Sequence, residues 1–104
     1  MADPMRIRVT LKGEIADVKV LIFHPMETGL RKDPASGKLL PRHFIKHMRA
    51  TLNGKTVLDA QWSRAVSRNP FLNFRVRGAK HGDTIAITWE DNRGESATIE
   101  SPVD

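Results

Sequence analysis

Cysteine is missing from the 104-residue chain. Its absence excludes disulfides, thiolate zinc sites, iron–sulfur ligation and a cysteine nucleophile. Tyrosine is absent too, and aromatic residues make up only 6% of the sequence, which leaves little material for a base-stacking surface. No apolar run approaches the ~18 residues that a membrane-spanning helix needs, so no membrane partner is expected. The first residues, Met1-Ala2-Asp3-Pro4-Met5-Arg6, have no apolar core, and no signal peptide is expected. No stretch carries a helical apolar period beyond about two turns. Catalytic motifs are lacking as well. No Gly-x-Ser-x-Gly turn occurs, and Gly29 and Gly37 are not followed by the helix of a phosphate-binding loop. Asp17, Asp33, Asp83 and Asp91 fall in turns or at strand ends, and Asp59 lies in a strand on its solvent side. The chain is therefore expected to be no enzyme, with no catalytic residues and no cofactor.

What is present is alternation. Residues 69–90 are the stretch on which the rest is expected to pack, as two strands and a corner. Leu72, Phe74 and Val76 share one face of the first strand, and Ile85, Ile87 and Trp89 one face of the second. Pro70 suits a strand entry, and Gly78 and Gly82 bracket the corner. Residues 6–12 alternate with Ile7, Val9 and Leu11 inward. Residues 17–24 do so with Val18, Val20 and Ile22 inward, while Leu21 and Phe23 make the other face apolar near its end. Residues 44–52 place Phe44, Met48, Ala50 and Leu52 together, and residues 55–62 place Leu58, Ala60 and Trp62 together. Asn53-Gly54 between these two runs is a strong two-residue hairpin signal. A short helical turn is expected about Arg64, Ala65 and Val66. Asp91 to Gly94 reads as a tight turn before a last strand, residues 95–101, with Ala97 and Ile99 inward. The sum is an all-β single domain over residues 1–104, a seven-stranded antiparallel immunoglobulin-like β-sandwich with Trp62 or Trp89 plugging its core.

Residues 25–41, with three prolines and two glycines, form the one long irregular segment. Long loops in small domains tend to carry function. Met26, Leu30, Leu39 and Leu40 offer it apolar anchors, and Asp33-Pro34-Ala35-Ser36-Gly37 reads as its tip.

Four histidines and four methionines raise the question of copper. His24-Pro25-Met26 and His43, His47 and Met48 are the candidates, but a blue-copper site needs a thiolate. In a strand His43 and His47 share a face ~13 Å apart, opposite the Phe44–Met48 stripe and wet. No metal site is expected.

The chain carries a formal net charge of +5. From position 31 to 55 the cations Arg31, Lys32, Lys38, Arg42, Lys46, Arg49 and Lys55 face the single acid Asp33, whereas the end of the chain is acidic. That asymmetry favours an anionic partner docking on one side. A stand-alone sandwich binding an anionic ligand or nucleic acid through this basic middle is one reading. A protein-interaction module is the other, favoured because the aromatics are few.

Several motifs run through the chain in order: His24-Pro25-Met26-Glu27-Thr28-Gly29-Leu30-Arg31-Lys32-Asp33, Gly37-Lys38-Leu39-Leu40-Pro41, Asn53-Gly54-Lys55-Thr56-Val57, Asn69-Pro70-Phe71-Leu72-Asn73-Phe74, Gly82-Asp83, and Thr88-Trp89-Glu90-Asp91-Asn92-Arg93-Gly94. Together they resemble the SoxZ family of bacterial sulfur and thiosulfate oxidation. The resemblance implies an immunoglobulin-like, non-catalytic subunit of the heterodimeric SoxYZ carrier. Its SoxY-like partner bears the sulfur substrate on a cysteine in a glycine-rich arm and presents it in turn to other Sox enzymes. It also implies a periplasmic location reached by export together with that partner. On this footing Leu21, Phe23, Met26, Leu30, Arg31, Lys32 and Arg42 are the candidate partner-interface residues. Met26 and Leu30 would be anchors and the cations a rim. Whether an isolated chain pairs with itself through Leu21 and Phe23 is left open by the sequence.

Overall fold

The computed structural model describes residues 5–63, 66 and 68–104. It holds seven strands: β1 (Met5–Lys12), β2 (Ile15–Ile22), β3 (Ile45–Leu52), β4 (Lys55–Gln61), β5 (Phe71–Arg77), β6 (Thr84–Asp91) and β7 (Ser96–Pro102). They form two antiparallel sheets, one ordered β1-β2-β5 and the other β4-β3-β6-β7, the arrangement of an immunoglobulin-like sandwich.

Period-two patterning builds the core. Ala16, Val18, Val20 and Ile22 of β2 and Ile85 and Ile87 of β6 are fully buried, with Trp89 beside them. Each of these valine and isoleucine side chains contributes about 1.5–3 kcal/mol through burial. Trp62 is half-buried and packs at the margin, so Trp89 is the central aromatic residue. The Asn53-Gly54 turn forms as expected, with φ of 51° and 84°, a pair of left-handed residues that matches the twist of β3 and β4. One long side of the sandwich is tied by the Leu11 amide, which donates to the carbonyl of Asp104 at 2.9 Å.

The strands of residues 69–90 and the corner between them form as expected, and because β5 and β6 lie in opposite sheets the corner at residues 78–83 crosses the sandwich. Other expectations need correction. The second strand begins at Ile15 and ends at Ile22. A β-bulge between Ile45 and His47 shifts the phase of β3, so Ile45 and Met48 are both buried although three residues apart. Phe44 is consequently displaced from the shared stripe and is only partly buried. Of the short turn expected about Arg64, Ala65 and Val66, the first two residues lie outside the described residues.

Candidate functional site

The loop between β2 and β3 is built outward from a buried root. β2 ends by burying Ile22, and the next inward position is His24, which is 3% exposed. Asn69, at the entry to β5, grips this point twice. Its side-chain carbonyl accepts from the His24 amide at 3.0 Å, and its own amide donates to the His24 carbonyl at 3.0 Å. The Met26 amide donates to Nδ1 of His24 at 3.1 Å. That bond requires a lone pair on Nδ1, so the proton of the neutral ring sits on Nε2. Nε2 faces Oδ2 of Asp91 at 3.2 Å and donates to it.

Asp91 ends β6 and is completely buried. The same Oδ2 accepts from Nε2 of His43 at 2.8 Å, and Oδ1 accepts the amides of Arg93 and Glu95, both at 2.9 Å. One carboxylate thus takes four donors. Desolvation pushes its acidity toward the neutral form, but the bonds from His24, His43 and the two amides outweigh this and hold Asp91 below the usual carboxylate range. Burial is the main cause that holds His24 below the ordinary imidazole value, against the raising effect of Asp91. The His24 ring meets His43 edge-on at 4.4 Å between centroids and Trp89 edge-on at 5.2 Å.

Asn92 repeats the pattern one residue later. Its Oδ1 accepts the Phe44 amide at 2.8 Å, and its Nδ2 donates to the Arg42 carbonyl at 3.0 Å. The turn after β6 therefore holds both ends of the loop, His24 at the start and residues 42–44 at the finish.

The interior of the loop follows from these anchors. Glu27 and His43 exchange backbone bonds at 2.7 and 3.1 Å, and Lys32 and Leu39 form a second bridge. Asp33 caps the tip, its carboxylate accepting from the Ala35 amide at 3.0 Å and the Ser36 hydroxyl at 3.1 Å. Met26 adopts φ of 49° and is buried in the core, where its sulfur accepts the Ile45 amide at 3.4 Å. Gly29 has φ of 84°, and a Cβ there would lie 2.4 Å from Cγ of Arg42. The Arg42 stem is laid across this glycine.

The candidate residues thus divide. Met26 anchors the loop to its own sandwich and is not available to a partner. Leu30 and Leu39 do not pin the loop to its own sandwich: they are 70% and 58% exposed. Arg31 is bonded to Glu27, whose carboxyl it holds below the ordinary glutamate value. Lys32 and Arg42 are exposed. Leu21 and Phe23 lie on the outer face of β2, Leu21 half-buried and Phe23 exposed. The structure adds Phe71, which pairs with Leu21 across β2 and β5 and is 62% exposed. The strand alternation at Phe71 was available in the sequence, but its neighbour was not.

His43 departs from the expected wet face. The bulge turns it toward Asp91, while His47 stays outside and meets Asp59 at 2.6 Å. The donor atoms of His24, His43 and Asp91 lie within 4.8 Å of one another, the spacing of a possible metal site. The hydrogen bonds assign them otherwise. A metal on Nε2 of His24 would force the proton to Nδ1, against the Met26 amide, and each Asp91 oxygen already accepts from two donors. The cluster is a tether.

No curated protein matches the chain. A family model described as sulphur oxidation protein SoxZ matches residues 5–102. Matched over nearly its whole length, the chain belongs to the SoxZ family and has its role in the Sox sulfur-oxidation system.

Proposed function

We propose that this chain is the non-catalytic subunit of a heterodimeric sulfur carrier. It supports a SoxY-like subunit whose cysteine holds the sulfur intermediate, and it helps to bring that subunit to the other Sox enzymes in turn. The observation that supports this reading is the loop. It is tied at both ends to Asp91 and Asn92, yet it carries Leu30 and Leu39 exposed at its outer part among Arg31, Lys32 and Arg42. Exposed apolar residues on an ordered segment, rimmed by cations, suit a protein contact. The basic middle, the basis of the anionic-ligand and nucleic-acid alternative, is partly neutralised within the chain, since Arg31 meets Glu27 and Lys46 meets Glu90 at 3.2 Å.

In this role the chain acts in the periplasm, exported together with its partner. Native mass spectrometry of the chain purified from its own organism grown on thiosulfate tests the proposal. A one-to-one complex with a cysteine-bearing subunit, carrying added mass in steps of sulfur on that subunit, is the expected result. A lone monomer or a homodimer under the same conditions overturns it. Replacing Leu30 with Asp should weaken that complex, and fractionation should find the chain outside the cytoplasm only when the partner is present.

A further inference from the structure

The outer face of the β1-β2-β5 sheet gathers charge that the sequence scatters. Alternation puts Arg6, Arg8 and Lys12 of β1, Lys19 of β2, and Arg75 and Arg77 of β5 on this side. The acid on these strands that faces the same way is Asp17. Six cations less one carboxylate leave +5 on one sheet face, equal to the formal charge of the whole chain. Among the described residues the one ion pair on this face is Arg75 with Asp17 at 3.7 Å, and Asp17 also accepts from Asn73 at 3.1 Å. Arg8 and Lys19 stand directly opposite each other, two like charges in register. Such a pair costs stability, and among the described residues no carboxylate forms an ion pair with either cation.

At one end of this face lies an apolar patch. Leu21 sits in the middle strand, flanked in register by Arg6 on one side and Phe71 on the other. Phe23 continues the row, with the Arg6 guanidinium 5.6 Å from its ring centroid. The patch adjoins the root of the loop, because the chain runs from Leu21 near the end of β2 through Phe23 straight into His24.

We infer that this face, with Leu21, Phe23 and Phe71 at its apolar end, is where the chain docks on an acidic protein surface. Resting on the carrier reading above, the inference assigns that surface to the cysteine-bearing subunit. Charge complementarity identifies the class of partner: an unbalanced +5 field calls for carboxylates, and an apolar centre calls for a solid, desolvating surface. A nucleic acid fits the field but not the patch. Leu21 is aliphatic and the Phe23 ring is already covered by Arg6, which leaves Phe71 alone to stack, whereas single-strand platforms present aromatics for successive bases. The apolar end sets the residence time of the complex and the cations its rate of encounter.

The test uses the full chain and the recombinant cysteine-bearing subunit of the same organism, with association followed at low and high salt. The double variant Leu21→Ser, Phe71→Ser should weaken the complex ~10-fold or more, chiefly through faster dissociation. The triple variant Arg6→Gln, Arg8→Gln, Lys19→Gln should slow association ~10-fold at low salt and flatten its salt dependence. Arg49→Gln, on the opposite sheet, should change neither. All the substituted side chains lie on the outside of the sandwich, and unchanged thermal unfolding verifies the fold. A photo-crosslinking residue in place of Phe71 should join to the partner.

Binding of the double variant within ~2-fold of the unmodified chain, with no crosslink, overturns the assignment of this face. In that case a complex still formed by the unmodified chain leaves the carrier reading standing. No complex with the unmodified chain defeats both. Salt-dependent binding of a thymidine oligonucleotide, abolished in the triple variant, in place of binding to the subunit, overturns the inference in favour of a nucleic acid.

Discussion

Two regions of this protein hold unusual charge, and they hold it in opposite ways. At the loop root a buried carboxylate, Asp91, has all its lone pairs engaged by two histidines and two amides. On the outer face of the three-stranded sheet five net positive charges stand exposed, with one ion pair, Arg75 with Asp17, among the described residues. The difference separates what charge does for a fold from what it does for a partner. Buried charge must be satisfied internally or it is destabilising. Exposed charge can stay unsatisfied because water screens it, and it then remains available to something outside. The other sheet sharpens the contrast: its outer face sets Lys46 and Arg49 against Asp59, Glu90 and Glu100, and carries a Thr88–Thr98 hydroxyl contact at 3.0 Å.

The contrast breaks most sharply at Asp91. Asp91→Ala strands four donors, two of them on largely buried histidines, and should cost about 3 kcal/mol or more. Urea or thermal unfolding will read this directly, and a loss below about 1 kcal/mol would mean that water replaces the carboxylate without difficulty.

Acid should act on the same region and spare the other. The folded pKa of His24 is below its unfolded value, so the unfolded chain takes up the proton first. Stability is therefore expected to be full above about pH 6.5 and to fall as pH drops below it. Asp91, also depressed, adds a second loss of the same sign once the pH falls below the ordinary aspartate range. The His24→Gln variant keeps a donor toward Asp91 but cannot titrate, so its melting temperature should change less between pH 7 and pH 5.5. An equal slope in both proteins would reassign the upper step to another group.

Gly29→Ala lies between the two regions, on the loop. Its positive φ and the Arg42 stem both oppose a Cβ, and a loss of about 1–2 kcal/mol is expected. Because the obstacle is a flexible side chain, Arg42 should move while the buried root stays, visible as nuclear magnetic resonance shifts confined to residues about 29 and 42.

The smallest effect belongs to the exposed face. Arg8→Glu turns the like-charged pair with Lys19 into an opposite one, and should stabilise the free chain by roughly 0.5 kcal/mol at low salt. The gain should vanish near ~1 M salt, where screening is short-ranged. A gain that survives salt would point to packing instead.

Much of the fold was legible because period two is a local signal. Ile7, Val9 and Leu11, Val18 and Val20, and Ile85 and Ile87 all take the face that their spacing predicts. The site was less legible, for a physical reason. Its parts are 45 to 67 residues apart, as in the bonds of His24 with Asn69 and with Asp91, and nothing in a local window joins them. The phase of His43 depended on a bulge at Ile45, which is invisible to a period count.

The sequence by itself determined the seven strands, the Asn53-Gly54 turn, the loop and its exposed tip, because alternation, turn chemistry and proline content are properties of neighbouring residues. Tertiary structure alone decided which strands share a sheet. With that it decided that Arg6, Arg8, Lys19, Arg75 and Arg77 pool their charge on one face, and that two distant histidines converge on one buried carboxylate. Strand pairing and burial are long-range choices, set by which arrangement closes the core and satisfies its polar groups together.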